Sequence, residues 1–215
     1  MDAKFWISAW DEGRTGFHRG AFNERLLDNF PALNPQKGQS VLVPLCGKTK
    51  DLLWLHSLGL KVHGIELYAK AVEEFFTDNH LPVTKNQDEN FANYSYENIL
   101  LSAGDFFKLS DKNTYDFIYD RAALVALPET MRKDYARVIK RSLKMGGKCL
   151  LVVYEYDQAQ MSGPPFSISE NEVQSLYSDQ FSIKLVETVS PDREGPKFSS
   201  LETLKEKVYI LEKIR

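Results

Sequence analysis

Residues 41–66 read VLVPLCGKTKDLLWLHSLGLKVHGIE. Val41-Leu42-Val43-Pro44-Leu45 is a short apolar run that stops at Cys46-Gly47. Leu52, Leu53, Leu55 and Leu58 follow at helical spacing, and Gly59 stands where a helix C-cap belongs. A second apolar run, 62–65, ends at an acid, Glu66. The order is strand, glycine turn, helix, strand, acid. It is the layout of a Rossmann-like nucleotide site, in which the acid accepts hydrogen bonds from ribose hydroxyls.

The same stretch separates two kinds of nucleotide. Gly47-Lys48-Thr49 has the look of a P-loop's end, but that motif needs a glycine five positions earlier, and position 42 is Leu. Two further glycines that would let backbone approach a pyrophosphate are also missing. A ligand with a ribose and no phosphate fits better, and S-adenosylmethionine is the commonest of that kind.

Working outward, 99–103 reads as a third strand ending at Gly104-Asp105, and 115–119 as a fourth ending at Asp120-Arg121. The pattern predicts helices over 69–79 and 128–143, the latter with Pro128 in its first turn. Gly146-Gly147 turns into a fifth strand, 149–154. A helix begins near Ser169, where Ser169-Glu170-Asn171-Glu172 resembles a capping box. Segments 181–189 and 207–211 complete seven strands, while the polar stretch 85–93 reads as an exposed loop. Strands alternate with helices until the last two come together. This order predicts an α/β fold with a mostly parallel, Rossmann-like sheet, a C-terminal antiparallel hairpin and helices on both faces. Ligands in such sheets lie outside the carboxyl ends of the strands.

The N-terminal residues 1–35 are rich in rings. Phe5, Trp6, Ala9 and Trp10 recur at helical spacing, and the turn-prone segment after them ends at Phe17-His18. The segment is read as a helix and a lid over the ligand, with 36–215 as the core of a single domain.

The bulk numbers bound the answer. The chain has 215 residues, is 43% hydrophobic and carries a net charge of −3, enough for one domain with a sizeable core. Lysines and arginines are dispersed, so no nucleic-acid face is expected. No stretch approaches the ~20 apolar residues of a membrane span, and MDAKFW lacks a signal-peptide core. Cys46 and Cys149 lie in or beside apolar runs and read as buried thiols. Histidines 18, 56, 63 and 80 lack metal-ligand spacing. A soluble cytoplasmic monomer without structural metal is the expectation.

Several long segments carry a resemblance: FWISAWDEGRTGFH (5–18), VLVPLCGKTKDLLWL (41–55), GIEL (64–67), GDFFKL (104–109), YDRAALVALP (119–128) and YDQAQMSGPPFSI (156–168), with a weaker one at GPKF (195–198). They run in order along nearly the whole chain. In them the chain resembles bacterial thiopurine S-methyltransferases, a branch of the class I S-adenosylmethionine-dependent methyltransferases. The resemblance implies a seven-stranded methyltransferase sheet and a cofactor site of Trp10, Leu45, Glu66, Asp105, Phe106 and Arg121. Glu66 would take the ribose hydroxyls, and Asp105 and Phe106 would edge the adenine. Arg121 would lie near both cofactor and acceptor and orient the latter. Phe17, with Phe166, would wall a flat apolar acceptor, a small thiol. The structural alternatives are an Arg121 ion pair with Asp120, Trp10 as plain core, His18 as a hydrogen-bonded structural residue and Asp157 as a loop residue. The acceptors compatible with this reading are thiopurines or other thiols, halide or thiocyanate, and selenium or tellurium species. A nicotinamide-dependent oxidoreductase is disfavoured for want of the glycine pattern, and a non-catalytic cofactor-binding protein is the third alternative.

Overall fold

A computed structural model describes residues 3–16, 18, 20–191 and 198–215. Among these residues nine strands form one sheet: β1 (Ser40–Pro44), β2 (Lys61–Glu66), β3 (Thr84–Gln87), β4 (Ala92–Tyr96), β5 (Ile99–Ala103), β6 (Tyr115–Arg121), β7 (Leu143–Glu155), β8 (Phe181–Val189) and β9 (Lys205–Lys213). They lie in the order β3-β4-β5-β2-β1-β6-β7-β9-β8. The five strands from β5 to β7 are parallel. β9 is inserted antiparallel between β7 and β8, which is the expected C-terminal hairpin.

The helices are α1 (Ala3–Asp11), α2 (Glu24–Asn29), α3 (Asp51–Ser57), α4 (Ala69–Asp78), α5 (Glu129–Ser142) and α6 (Glu170–Tyr177). They cover the sheet on both sides. Val41 and Val43 of β1 pack with Leu52 and Leu55 of α3 and Phe75 of α4, while Leu42 packs with Tyr135 and Ile139 of α5 and Val173 of α6. A strand buried on both faces reads as an unbroken apolar run, which is how β1 appears in sequence. Ser169 caps α6 as expected, accepting from the Glu172 N–H. α2 is tied in by Asp51, which accepts from the Asn23 N–H and from the Tyr119 hydroxyl.

Two expectations are corrected. The sheet has nine strands rather than seven, because the stretch read as an exposed loop over 85–93 forms most of a β3–β4 hairpin paired onto β5. All of β3 is exposed and carries no apolar run to announce it. The hairpin is held through β4, where the Tyr94 ring stacks on Phe76 of α4 and the Lys85 ammonium lies over the Tyr94 ring. β7 also starts earlier than expected, at Leu143, with a register shift opposite β6 that accommodates Gly146 at φ +72°.

Candidate active site

The crevice lies where the sheet's connections diverge, at the carboxyl ends of the neighbouring strands β1 and β6. Each of these strands is followed at once by a non-glycine residue in the left-handed region, Leu45 at φ +49° and Ala122 at φ +61°. Such conformations are unfavourable for side chains with a Cβ and concentrate at functional sites. Their position is the topological switch point at which open α/β sheets bind ligands.

Glu66 is the hub of this end of the sheet. It closes β2 and is only 6% exposed. Its Oε2 accepts from the Gly47 N–H (2.8 Å) and its Oε1 from the Tyr68 N–H (2.9 Å). Its carbonyl accepts from the Gly104 N–H (2.8 Å). One residue thus stitches together the ends of β1, β2 and β5. Burial pushes the Glu66 carboxyl above its usual pKa, against the opposing pull of these N–H donors. Each carboxylate oxygen keeps a second lone pair for a ligand hydroxyl.

Trp10 projects from α1 onto the turn after β1. A Cβ at Gly47, which holds φ +54°, would stand 3.1 Å from the Trp10 ring. Tyr68 stacks with Trp10, the ring centroids 6.0 Å and the planes 15° apart, and its hydroxyl donates to Asp11. Tyr68 escaped the sequence reading; its place two residues after the strand-end acid was the available signal.

Asp105 is exposed and caps the short turn Phe106–Lys108, accepting from the Phe107 N–H. Phe106 follows it, but its ring is buried against Tyr135 and Phe107, so only its backbone faces the crevice end of β5. This end is walled by the β3–β4 turn: a Cβ at Gly104 would stand 2.6 Å from the Asn90 carbonyl oxygen and from the Phe91 ring. That wall also went unread in the sequence.

Arg121 closes β6 and is half-buried. Asp120 points to the opposite face, as neighbours on a strand must. There it accepts from the Tyr135 hydroxyl (2.7 Å) and the Leu124 N–H (3.1 Å). His18 sits beside the same crevice. Burial lowers its pKa, and the nearby Lys48, Lys50 and Arg121 cations lower it further, against Asp78. Lys48 itself donates to Glu74 and Asp78. Phe166 is fastened to the turn that follows Arg121: its N–H donates to the Val125 carbonyl (2.6 Å), and its ring lies under the Arg132 guanidinium. Phe17 lies outside the described residues, as does most of 195–198. Asp157 caps a short turn, accepting from the Ala159 N–H. Cys46 and Cys149 are buried free thiols whose pKa values burial raises, which suits core rather than nucleophile.

The family model described as thiopurine S-methyltransferase matches residues 1–214. The chain belongs to the thiopurine S-methyltransferase family. It is 42% identical to the thiopurine S-methyltransferase of Bordetella parapertussis, with all of both chains covered. It is 40% identical to that of Azotobacter vinelandii over 99% of this chain and 100% of the other. Among solved structures, the chain's fold is similar to a Burkholderia thailandensis 1,6-didemethyltoxoflavin-N1-methyltransferase with bound 1,6-didemethyltoxoflavin and S-adenosylhomocysteine. That match has a TM-score of 0.67 at 17% identity and covers 99% of this chain and 87% of that one. A Methanosarcina mazei S-adenosylmethionine-dependent methyltransferase is similar at TM-score 0.65 and 18% identity, over 90% and 99%. As a member of this family, the chain has a crevice to be judged against S-adenosylmethionine. The residues present fit: a buried carboxylate with open lone pairs ends β2, and a glycine, Gly47, lies under an indole. Among the described residues no group of three or more His, Cys, Asp or Glu side chains is placed to hold a metal, and no helix is long and apolar enough to cross a membrane.

Proposed function

We propose that this chain is an S-adenosylmethionine-dependent thiopurine S-methyltransferase that methylates the sulfur of aromatic or heterocyclic thiols. The observation that carries the reading is Glu66, a nearly buried carboxylate at the end of β2 beside the switch point, bonded to Gly47 and Tyr68 in a chain whose residues 1–214 match this family.

S-adenosylmethionine supplies a methyl group already activated on a sulfonium, so the protein's task is alignment and exclusion of water. In this reading Glu66 accepts from the ribose hydroxyls, Leu45 and the Gly47 turn supply the floor, and Trp10 covers it. Asp105 and the backbone of Phe106 border the adenine. Arg121 orients an anionic sulfur by charge-assisted hydrogen bonding. Burial and the neighbouring cations favour the uncharged form of His18 beside that position. Phe166 walls the acceptor ring, and the N-terminal segment that carries α1 is a helix and lid on the core.

An acceptor screen with methyl-labelled S-adenosylmethionine tests the proposal. Label is expected in a thiopurine and in aromatic thiols. Label in thiocyanate, iodide or selenium species but in no thiol would replace the acceptor class. Tight S-adenosylhomocysteine binding with no transfer at all would make the chain a non-catalytic binder.

A further inference from the structure

A second site lies at the opposite end of the sheet from the crevice. There a cavity of about 260 Å³ is walled by Lys112, Arg137, Lys140, Arg141 and Lys213. Lys112 precedes β6, the next three occupy the last turns of α5, and Lys213 ends β9. The other two lining residues, Asn113 and Gln180, are amides, and among the described residues no carboxylate lines the cavity. The chain as a whole is acidic, at −3, so this concentration of cations is local.

Lys213 makes the arrangement unusual. It is 7% exposed. Its ammonium donates to the carbonyls of Lys140 (2.7 Å) and Leu143 (2.8 Å) and to Asn113 Oδ1 (3.1 Å), all neutral oxygens. Buried lysines are rare and ordinarily paired with an opposite charge, and burial pushes this one's pKa down. By bonding the Lys140 carbonyl in the last turn of α5 and the Leu143 carbonyl just beyond it, Lys213 also offsets the negative end of that helix, which would otherwise repel an anion. Arg141 donates to the Leu109 carbonyl while its Nε is buried with no partner. The carboxylates that meet these cations, Asp134 on Arg137 and Asp179 on Lys140, stand outside the lining.

We propose that this cavity binds a phosphate-type oxyanion carried on a small solute. A doubly charged oxyanion would give Lys213, whose three N–H groups are already taken, the counter-charge it lacks, while the ammonium and guanidinium groups of Lys112 and Arg137 on the same lining suit its several oxygens. The site is concave and confined to one cavity, which fits a small phosphate rather than a polyanion lying along a face. It sits at the amino ends of the parallel strands, so its occupancy does not compete with the crevice.

The test uses the full chain and inorganic phosphate. Phosphate at ten times its Kd is expected to raise Tm by about 3–5 °C over chloride of equal ionic strength. Because phosphate also strengthens burial non-specifically, the deciding comparison is the double substitution Lys112→Gln with Arg137→Gln, both exposed positions. It is expected to lower phosphate affinity by calorimetry at least tenfold while leaving kcat/KM for a thiopurine within twofold. A sugar phosphate is expected to displace phosphate. An unchanged affinity in the double variant would overturn the site. Co-sedimentation with phosphatidic-acid vesicles that the double substitution abolishes would overturn the small-solute assignment in favour of a lipid headgroup.

Discussion

Glu66 carries two duties that meet in one carboxylate. It satisfies the Gly47 and Tyr68 N–H groups, and in the proposed function it also receives the ribose. Glu66→Ala is therefore expected to weaken S-adenosylhomocysteine binding by roughly 1.5–3 kcal/mol, the range for hydrogen bonds to a charged group. It should also lower Tm, because two buried donors lose their acceptor. Calorimetry on the folded variant checks the first effect and a thermal melt the second; wild-type affinity within twofold would remove Glu66 from the ribose. Arg121 is tested by charge and shape. A guanidinium beside the acceptor favours a thiolate, and lysine keeps the charge without the planar fork. Arg121→Lys is expected to retain more thiopurine methylation than Arg121→Ala, with wild-type kcat/KM rising as the acceptor deprotonates. If Arg121→Ala matched wild type at every pH, the role would be structural.

Elements were legible in the sequence where burial on both faces left a continuous apolar run, as in β1, or where a cap was spelled out, as at Ser169. The β3–β4 hairpin was not, since backbone pairing and a few rings, Tyr94 above all, hold it rather than an apolar pattern. The site shows the same division. Glu66 and the Gly47 turn could be read from their positions at strand ends. The stacking of Trp10 on Tyr68 joins residues far apart in the chain and has no local signature. The contact between α1 and the turn after β1 makes a direct prediction. Gly47→Ala places a Cβ 3.1 Å from the Trp10 ring at φ +54°, a backbone conformation that costs about 1–2 kcal/mol in a residue with a Cβ. Cofactor affinity and Tm are both expected to fall. In Trp10→Ala the steric part of that loss should vanish and the backbone part remain. Strict additivity of the two substitutions in Tm and affinity would show that α1 does not rest on the turn.

Across the whole molecule, the polar groups buried against the sheet set how stability responds to pH, and they act in opposite directions. His63 lies on the sheet between Tyr115 and Ser102, and burial lowers its pKa to about 4. Its contribution is thus lost as pH falls from about 6.5 towards that value. Asp120 is the counterpart, 1% exposed under α5. Burial raises its carboxyl from 3.8 to about 6, although Tyr135 and Leu124 donate to it. A carboxyl whose folded pKa exceeds its unfolded value stabilises fully below the unfolded value, near 4, and that stabilisation is lost as pH rises through about 6. Asn has no ionisation to lose at this position. The Tm of wild type relative to Asp120→Asn is therefore expected to be highest at and below about pH 4, to decline between about pH 4 and 6 and to level off from there to pH 7.5, while His63, common to both proteins, cancels. Melts of the two proteins across this range measure the difference. A gap that stayed constant with pH would mean that Asp120 titrates alike in folded and unfolded chains. A gap that widened in wild type's favour as pH rose would mean that its hydrogen bonds outweigh its burial.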